Sequence, residues 1–405
     1  ISNIFSLYLN NAVNYVLPLI IVPYLIKVLG IEYYGYYVFA FAMANYFRIF
    51  INFGFEITTS KYIIKFRNDA ERRSQIFSFV LFWRVIFFII SFIIFLVALN
   101  FIPLAHKIGS LFFILNFFYV ISSVINLNAY YYSFQEIKFS TVANAIGKSL
   151  YLICLLIFVK SKDDYLYVAL FSSMSWIIPS LILFINGKKR YQLSLIKPKL
   201  GQDKVILSEA KNAFISDVSV SLYSTTNVFV MGLAVPASIV GVYGSLERVY
   251  AALTTLISSS NYLIYPRLIK YYEIGKDFFF SKLKSIEIGY FLFSLLVFSL
   301  FFVSKPIILG YIFNGKTEEY ANIYLSIFLV AAIISPFGSL YTRCLLIQDR
   351  SLTLLKVTTI GFLVNFIVLI SIIFLFKSFA IIPVCVLATQ LYIFTVKRLL
   401  VKRES

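Results

Sequence analysis

The sequence predicts an all-α polytopic membrane protein with twelve transmembrane helices in two six-helix bundles around a central cavity. Three observations predict it. Hydrophobic residues make up 60% of the 405 positions and charged residues 13%, far below the roughly 25% charged content of soluble domains. Twelve apolar runs approach or exceed the roughly 20 residues a helix needs to cross a bilayer. Basic residues then alternate sharply between successive loops.

The first run, 4–26, has no basic stretch ahead of it and no A-x-A-like site after it, so it is expected to stay as a span rather than be removed as a signal peptide; residues before Ile1 are expected to be missing. A short turn with Lys27 leads to the span 35–57, and Lys61, Lys65, Arg67, Arg72 and Arg73 precede the span 76–100. The runs 110–132, 140–159 and 165–185 complete the first half. The longest polar stretch, 186–205 (NGKKRYQLSLIKPKLGQDKV), separates it from the spans 206–231, 240–265, 286–303, 320–342, 352–376 and 378–396. The domains read as 1–185, an N-terminal six-helix bundle; 186–205, a cytoplasmic basic linker; 206–396, a C-terminal six-helix bundle; and 397–405, a cytoplasmic tail. With the N-terminus inside, 24 of the 36 basic residues fall on the inside and seven on the outside. The positive-inside rule therefore places both termini in the cytoplasm. A faint echo between LGIEYYGYY and LAVPASIVGVYG, each opening a Gly-Tyr-rich helix, fits a pair of parallel repeats.

Much chemistry is excluded. Lys and Arg outnumber Asp and Glu 36 to 18, but a basic excess confined to short loops is a topology signal and not a nucleic-acid footprint. Cys154, Cys344 and Cys385 lie in apolar runs without C-x-x-C spacing, and His106 is the single histidine. No metal site or cofactor is expected. Walker-type and Ser-His-Asp patterns are missing as well, so no enzyme is read here.

Five basic residues remain inside the spans: Arg48, Arg84, Lys148, Arg248 and Arg343. Arg48 lies roughly 14 to 20 Å by helix rise from the ends of its span, close to the midplane, where an unpaired charge costs about 3 kcal/mol or more. Asn45, Arg48, Asn52 and Glu56 are spaced to share one face of a continuous helix. Similar polar stripes run through Asn3, Ser6, Asn10 and Asn14; Asn116, Tyr119, Ser123, Asn126 and Tyr130; Thr141, Asn144, Lys148 and Tyr151; Asp217, Ser221 and Ser224; and Tyr243, Glu247, Tyr250, Thr254, Ser258 and Asn261. Each stripe has a plain alternative, interhelical hydrogen bonding. Arg48 has another, an ion pair with Glu56; Arg84 and Lys148 can snorkel, Arg343 anchors a helix end, and Glu247 and Arg248 can be neutralised across neighbouring helices. A cavity lined by cations, amides and tyrosines suits an anionic, sugar-bearing solute, because arginine forks match phosphate oxygens while amides and aromatic faces suit sugars.

The chain also resembles a known family, almost end to end. NAVNYVLPLIIVPYLIKVLGIEYYGYYVFAFA, INFGFEITTSKY, YYYSFQEIKFSTVAN and GVYGSLERVYAALTTLISSSNYLIYPRLIKY resemble the O-antigen and polysaccharide flippases of the multidrug/oligosaccharidyl-lipid/polysaccharide exporter superfamily. That resemblance implies that the protein flips undecaprenyl-diphosphate-linked repeat units from the cytoplasmic to the outer leaflet by alternating access. Substrate contacts would come from Arg48, Asn45, Asn52, Arg84, Lys148, Arg248, Asn10 and Asn14, and ion coupling from Asp217, Glu247 and Glu56. The partners implied are the lipid-linked oligosaccharide, membrane lipids, a polysaccharide polymerase and a chain-length regulator. In FQEIK, Glu136 and Lys138 stand where the family has Gly and often Glu, so that turn is expected to differ. A drug/cation antiporter of the same superfamily would use cavity acids such as Asp217 and Glu247. An O-antigen polymerase would need a large outside loop, and a lipid-binding scaffold would have no use for polar stripes in both halves.

Overall fold

The computed structural model describes the backbone of residues 2–197, 204–258 and 261–403, and the side chains of 16–197, 204–214, 225–258, 261 and 264–403. The described residues are helical, with no strand among them. Nine helical segments there are long and apolar enough to cross a membrane, and Val16–Leu29 and Thr225–Ala234 are shorter apolar helices. Two compact units form: Ile1–Leu17 with Val28–Ser221, and Pro18–Lys27 with Leu222–Ser405.

In the first unit, α1 (Ser2–Leu29), whose stretch Pro18–Lys27 belongs to the second unit, precedes α2 (Ile31–Asn52), α3 (Phe55–Lys65), α4 (Ala70–Leu99), α5 (Pro103–Ile108), α6 (Ser110–Phe117), α7 (Ile121–Val124), α8 (Asn128–Ser133), α9 (Ile137–Phe158) and α10 (Tyr165–Arg190). The first turn of α4 is fixed by Asp69, whose carboxylate accepts from the Arg72 amide at 2.8 Å and supplies an acceptor for an otherwise orphan helix donor. Lipid offers helices no hydrophobic reward for pairing, so close packing at small residues holds them together. Gly147 of α9 shows this: a Cβ there would stand 2.3 Å from Pro179 Cγ of α10.

Two predicted continuous spans are broken. The span read as 35–57 ends as α2 at Asn52, because Phe53 (φ 42°) and Gly54 (φ 70°) are both left-handed. Gly54 has a second constraint besides its φ. The first turns of α11 (Lys204–Ala234) pass so close that a Cβ on Gly54 would lie 2.4 Å from the Ala210 carbonyl oxygen and 2.6 Å from the Phe214 nitrogen. Phe53 stacks on Phe214 at 4.8 Å. The face predicted to join Asn45, Arg48, Asn52 and Glu56 therefore stops at Asn52, and Glu56 begins a new helix.

The second break lies in the span read as 110–132, between α7 and α8. Asn126 Oδ1 accepts from the Asn128 amide at 2.7 Å, a local side-chain bond that competes with the helical ladder. Asn126 therefore sits in a turn and not on a polar face. After α10, residues 192–196 run along α4: Ser194 N donates to Ser74 Oγ at 3.1 Å and Ile196 N to Ser78 Oγ at 2.9 Å.

In the second unit, the rest of α11 is followed by α12 (Ala237–Ser258), α13 (Asn261–Ile274), α14 (Lys276–Val303), α15 (Lys305–Ile312), α16 (Ala321–Ile347), α17 (Ser351–Ile370) and α18 (Val384–Lys402). α16 packs against α12, α14 and α18, and its mainly buried, small and aromatic residues make it the centre of this unit. Polar groups along α12 and α13 act as interhelical bonds: Tyr250 OH accepts from Gln390 Nε2 at 3.0 Å, Asn261 Nδ2 donates to Ser339 Oγ at 2.9 Å, and Tyr290 OH donates to Asn261 Oδ1 at 2.8 Å. For these stripe residues the structure shows helix–helix bonding.

Candidate functional site: an aromatic shelf between two cations

Tyr37, Phe41, Asn45 and Arg48 recur at intervals of four, four and three along α2, which sets them on one face. At the end of that face Arg48 Nε donates to Asn45 Oδ1 at 2.7 Å. The same oxygen accepts from Tyr119 OH at 3.0 Å, so one amide orients both the guanidinium and a buried phenol. Phe41 stacks on Tyr119, with centroids 4.8 Å apart and planes within 20°. Tyr119 in turn packs against Trp176 of α10 at 5.9 Å. The Lys148 ammonium of α9 stands 5.5 Å from the Trp176 ring centroid, within cation–π range. Tyr37 OH and Ser172 Oγ, 2.8 Å apart, fasten α2 to α10 beside this cluster.

Three helices and the 3₁₀ turn Phe118–Val120 thus bring Arg48, Asn45 and Lys148 together around Phe41, Tyr119 and Trp176. Trp176 is 38% exposed while Tyr119 is buried, so the indole is the accessible ring of the pair and the tyrosine supports it. The arrangement can stack a flat apolar ring face and hold negative charge at its edges.

Other predicted residues are placed elsewhere. Arg84 is 4% exposed and donates to the Asn126 carbonyl at 2.7 Å and to Asn52 Oδ1 at 3.2 Å. Its guanidinium spans both helix breaks, a carbonyl freed at one and an amide at the other. Beside it lies a cleft of about 10 Å³, the space of one water. Glu56 is half-buried on α3. Glu247 and Arg248 stand side by side on α12 in the second unit, half-buried and exposed respectively. The side chains of Asn10, Asn14 and Asp217 lie outside the described residues.

Trp176 escaped the sequence reading because an aromatic residue in an apolar helix looks like packing. The usable signal was on α2, where Tyr37 and Phe41 extend the Asn45–Arg48 face by two turns. Glu136, a departure from the family pattern in FQEIK, pairs with Arg190 at 2.6 Å and accepts from Tyr191 OH at 2.7 Å. The left-handed residue of that turn is Gln135 (φ 60°). The Arg190 hydrogen bond holds the Glu136 carboxyl below the ordinary carboxylate range against a smaller opposing effect of burial.

Comparison with known proteins gives the following. Residues 1–272 match the family model described as polysaccharide biosynthesis protein. A putative O-antigen transporter of Escherichia coli (strain K12) is 26% identical over 66% of this chain, and the chain spans 64% of that protein's length. A putative O-antigen transporter of Shigella dysenteriae is 24% identical over 90% of both chains. Among solved structures, the inward closed conformation of the lipid II flippase MurJ superposes with a TM-score of 0.69 at 13% identity, covering 97% of this chain and 87% of the other. The inward-facing conformation of a multidrug resistance MATE family transporter of the MOP superfamily gives 0.62 at 15% identity, with 99% and 98% covered. At those identities the two structures establish a shared fold.

Proposed function

Because the chain belongs to the polysaccharide biosynthesis protein family, we propose that this multi-pass membrane protein flips undecaprenyl-diphosphate-linked O-antigen or other polysaccharide repeat units. It is a transporter and not an enzyme, in keeping with relatives named as O-antigen transporters. Movement runs from the cytoplasmic to the outer leaflet of the bacterial inner membrane by alternating access. Twelve spans in two six-helix bundles around a central cavity, 1–185 and 206–396, with the linker 186–205 and the tail 397–405 cytoplasmic, are the architecture this reading needs. Asp217, Glu247 and Glu56 are its candidates for ion coupling, and a polysaccharide polymerase and a chain-length regulator its partners downstream.

The single observation that carries the reading is the shelf of Phe41, Tyr119 and Trp176 with Arg48 at one end and Lys148 at the other. A sugar ring stacks on an exposed indole through its apolar C–H face. A diphosphate next to that ring then meets a guanidinium oriented by Asn45 and an ammonium held over the indole. A substrate joining sugar and diphosphate uses both features at once, whereas a cationic drug meets two like charges. Arg84, with its donors on Asn52 and the Asn126 carbonyl, supports this site by holding the helix breaks.

The test is depletion of the protein in its own cell. Surface polysaccharide should fall while the lipid-linked repeat unit accumulates facing the cytoplasm, and the intact chain should restore both. Unchanged surface polysaccharide, or no build-up of the lipid-linked unit, would overturn the proposal. Cysteines introduced at Asn68 and Ser161, both exposed, test sidedness: an impermeant thiol reagent should label Ser161→Cys in intact cells and Asn68→Cys only after lysis.

A further inference from the structure

At the basic end of the second unit lies a groove of about 380 Å³ between α14, α16 and α18, lined by Ile288, Phe291, Ile333, Ile334, Phe337 and Phe394 with Glu287 and Arg398. Its size falls within the roughly 300–1,000 Å³ of small-molecule sites. Ile288 and Phe291 are 53% and 50% exposed, which opens the groove sideways on the outer face of α14. Its walls are apolar along their length and charged at one point only.

That point has a defined geometry. Arg398 Nη2 stands 3.6 Å from Glu287 Oε2, and the Glu287 side chain is only 14% exposed against 44% for Arg398. Tyr341 OH donates to the other carboxylate oxygen, and the Arg398 guanidinium packs 5.7 Å from the Phe394 ring centroid. The carboxylate is therefore held in place, and what remains exposed of it lines the groove. Lys284 lies one turn before Glu287 on α14, and Lys402 one turn beyond Arg398 on α18. Basic anchors at both helix ends set this pair near the level of lipid headgroups.

The geometry points to a site for a zwitterionic phospholipid with a primary ammonium, a phosphoethanolamine headgroup, with one acyl chain in the groove. Charge complementarity selects this occupant. One acid and one base at the mouth match one ammonium and one phosphate: the ammonium donates to Glu287, and the phosphate accepts from Arg398. A lipid carrying net negative charge gains Arg398 but has no ammonium to donate to Glu287, and a polyprenyl diphosphate likewise leaves that carboxylate unanswered. A trimethylammonium headgroup keeps the charge but has no N–H to donate. The apolar wall takes any acyl chain, so discrimination comes from the headgroup alone.

Native mass spectrometry of the purified full chain, titrated with phosphatidylethanolamine, phosphatidylglycerol or phosphatidylcholine of matched acyl chains, tests the assignment. Phosphatidylethanolamine should be retained at least about tenfold better than the other two, the worth of one charge-assisted hydrogen bond. Glu287→Gln, which keeps an oxygen acceptor for Tyr341, should remove that preference while leaving lipid binding in place. Ile334→Trp, filling the groove, should reduce retention of all three. Equal retention by the wild-type chain would mean an ordinary lipid-facing surface and overturn the assignment. So would a preference for phosphatidylglycerol, or a preference that survives Glu287→Gln. The wild-type headgroup series needs no variant to fold, so it decides the question by itself.

Discussion

Arg48 is oriented by Asn45, one turn earlier on its own helix: Nε donates to Oδ1 at 2.7 Å. Glu56, expected to share that face, instead belongs to α3, beyond two left-handed residues. The amide that orients this guanidinium carries no charge of its own and so does not neutralise it.

Arg48→Ala should therefore abolish surface polysaccharide while the protein remains at normal abundance in the membrane. Arg48→Lys should retain part of the activity, since charge survives without the planar fork, and Glu56→Gln should be mild. Asn45→Leu, which frees both Arg48 and Tyr119, should lower activity by about tenfold. Trp176→Leu should fail where Trp176→Phe is partly active, because stacking needs a ring face. Loss of membrane abundance in Arg48→Ala and its recovery in the double change Arg48→Ala, Glu56→Gln would make Arg48 a structural ion-pair partner and remove the site.

Arg84 should behave in the opposite way. Removing its guanidinium leaves the Asn126 carbonyl and the Asn52 amide oxygen without the donors they have now, at a cost of about 2–4 kcal/mol. Arg84→Ala should lower folded protein in detergent melts and in membranes, and the activity lost should track the protein lost. Normal abundance with no activity would instead put Arg84 among the substrate contacts.

How much of this was legible depended on what kind of signal each feature leaves. Burial in lipid forces long apolar runs, so the helical class and the spans of α4, α9 and α10 could be read directly. The breaks at Phe53–Gly54 and Asn126 could not. At Gly54 the constraint comes from far along the chain, where α11 passes against its backbone; at Asn126 a local side-chain bond to the Asn128 amide competes with the helix, and the carbonyl is taken by the distant Arg84. In the candidate site, Arg48 and Lys148 announced themselves because charge is costly inside a span. Trp176 did not, since an indole is at home in an apolar helix and only its contact with Lys148 separates it from packing. The stripe residues Tyr250 and Asn261 could not be distinguished from site residues by spacing, because interhelical bonding and ligand binding both ask for polar groups on one helix face.

Gly54→Ala is expected to be among the most damaging single changes in the first unit. The left-handed backbone alone costs an L-residue about 1–2 kcal/mol, and the added methyl group would overlap the backbone of α11. Relief would require α11 to shift at Ala210 and Phe214 and so disturb the Phe53–Phe214 stack. Membrane abundance should fall well below that of an exposed control such as Asn68→Ala. A thermal melt within about 1 °C of wild type would show that the close approach of α11 is not fixed at this point.

Glu136 gives stability a pH dependence outside the membrane-spanning segments. Its carboxyl sits below its ordinary value of 4.5 because Arg190 and then Tyr191 bond the charged form against a partial opposing effect of burial. A depressed folded-state value means that the stabilisation is fully present above pH 4.5 and is lost as pH falls through the folded value, since protonation removes the bonds that only the folded chain makes. Arg190 is more than half exposed, so the pair is screened and the effect small. In detergent, wild type should lose no more than about 2–4 °C relative to Glu136→Gln on going from pH 6 to pH 3.5. The difference should shrink in 1 M salt, which shortens the screening length to about 3 Å. A Glu136→Gln melting curve that falls in parallel with wild type would place the acid sensitivity elsewhere in the chain, and a wild type that gains on the variant as pH falls would reverse the sign assigned to this carboxylate.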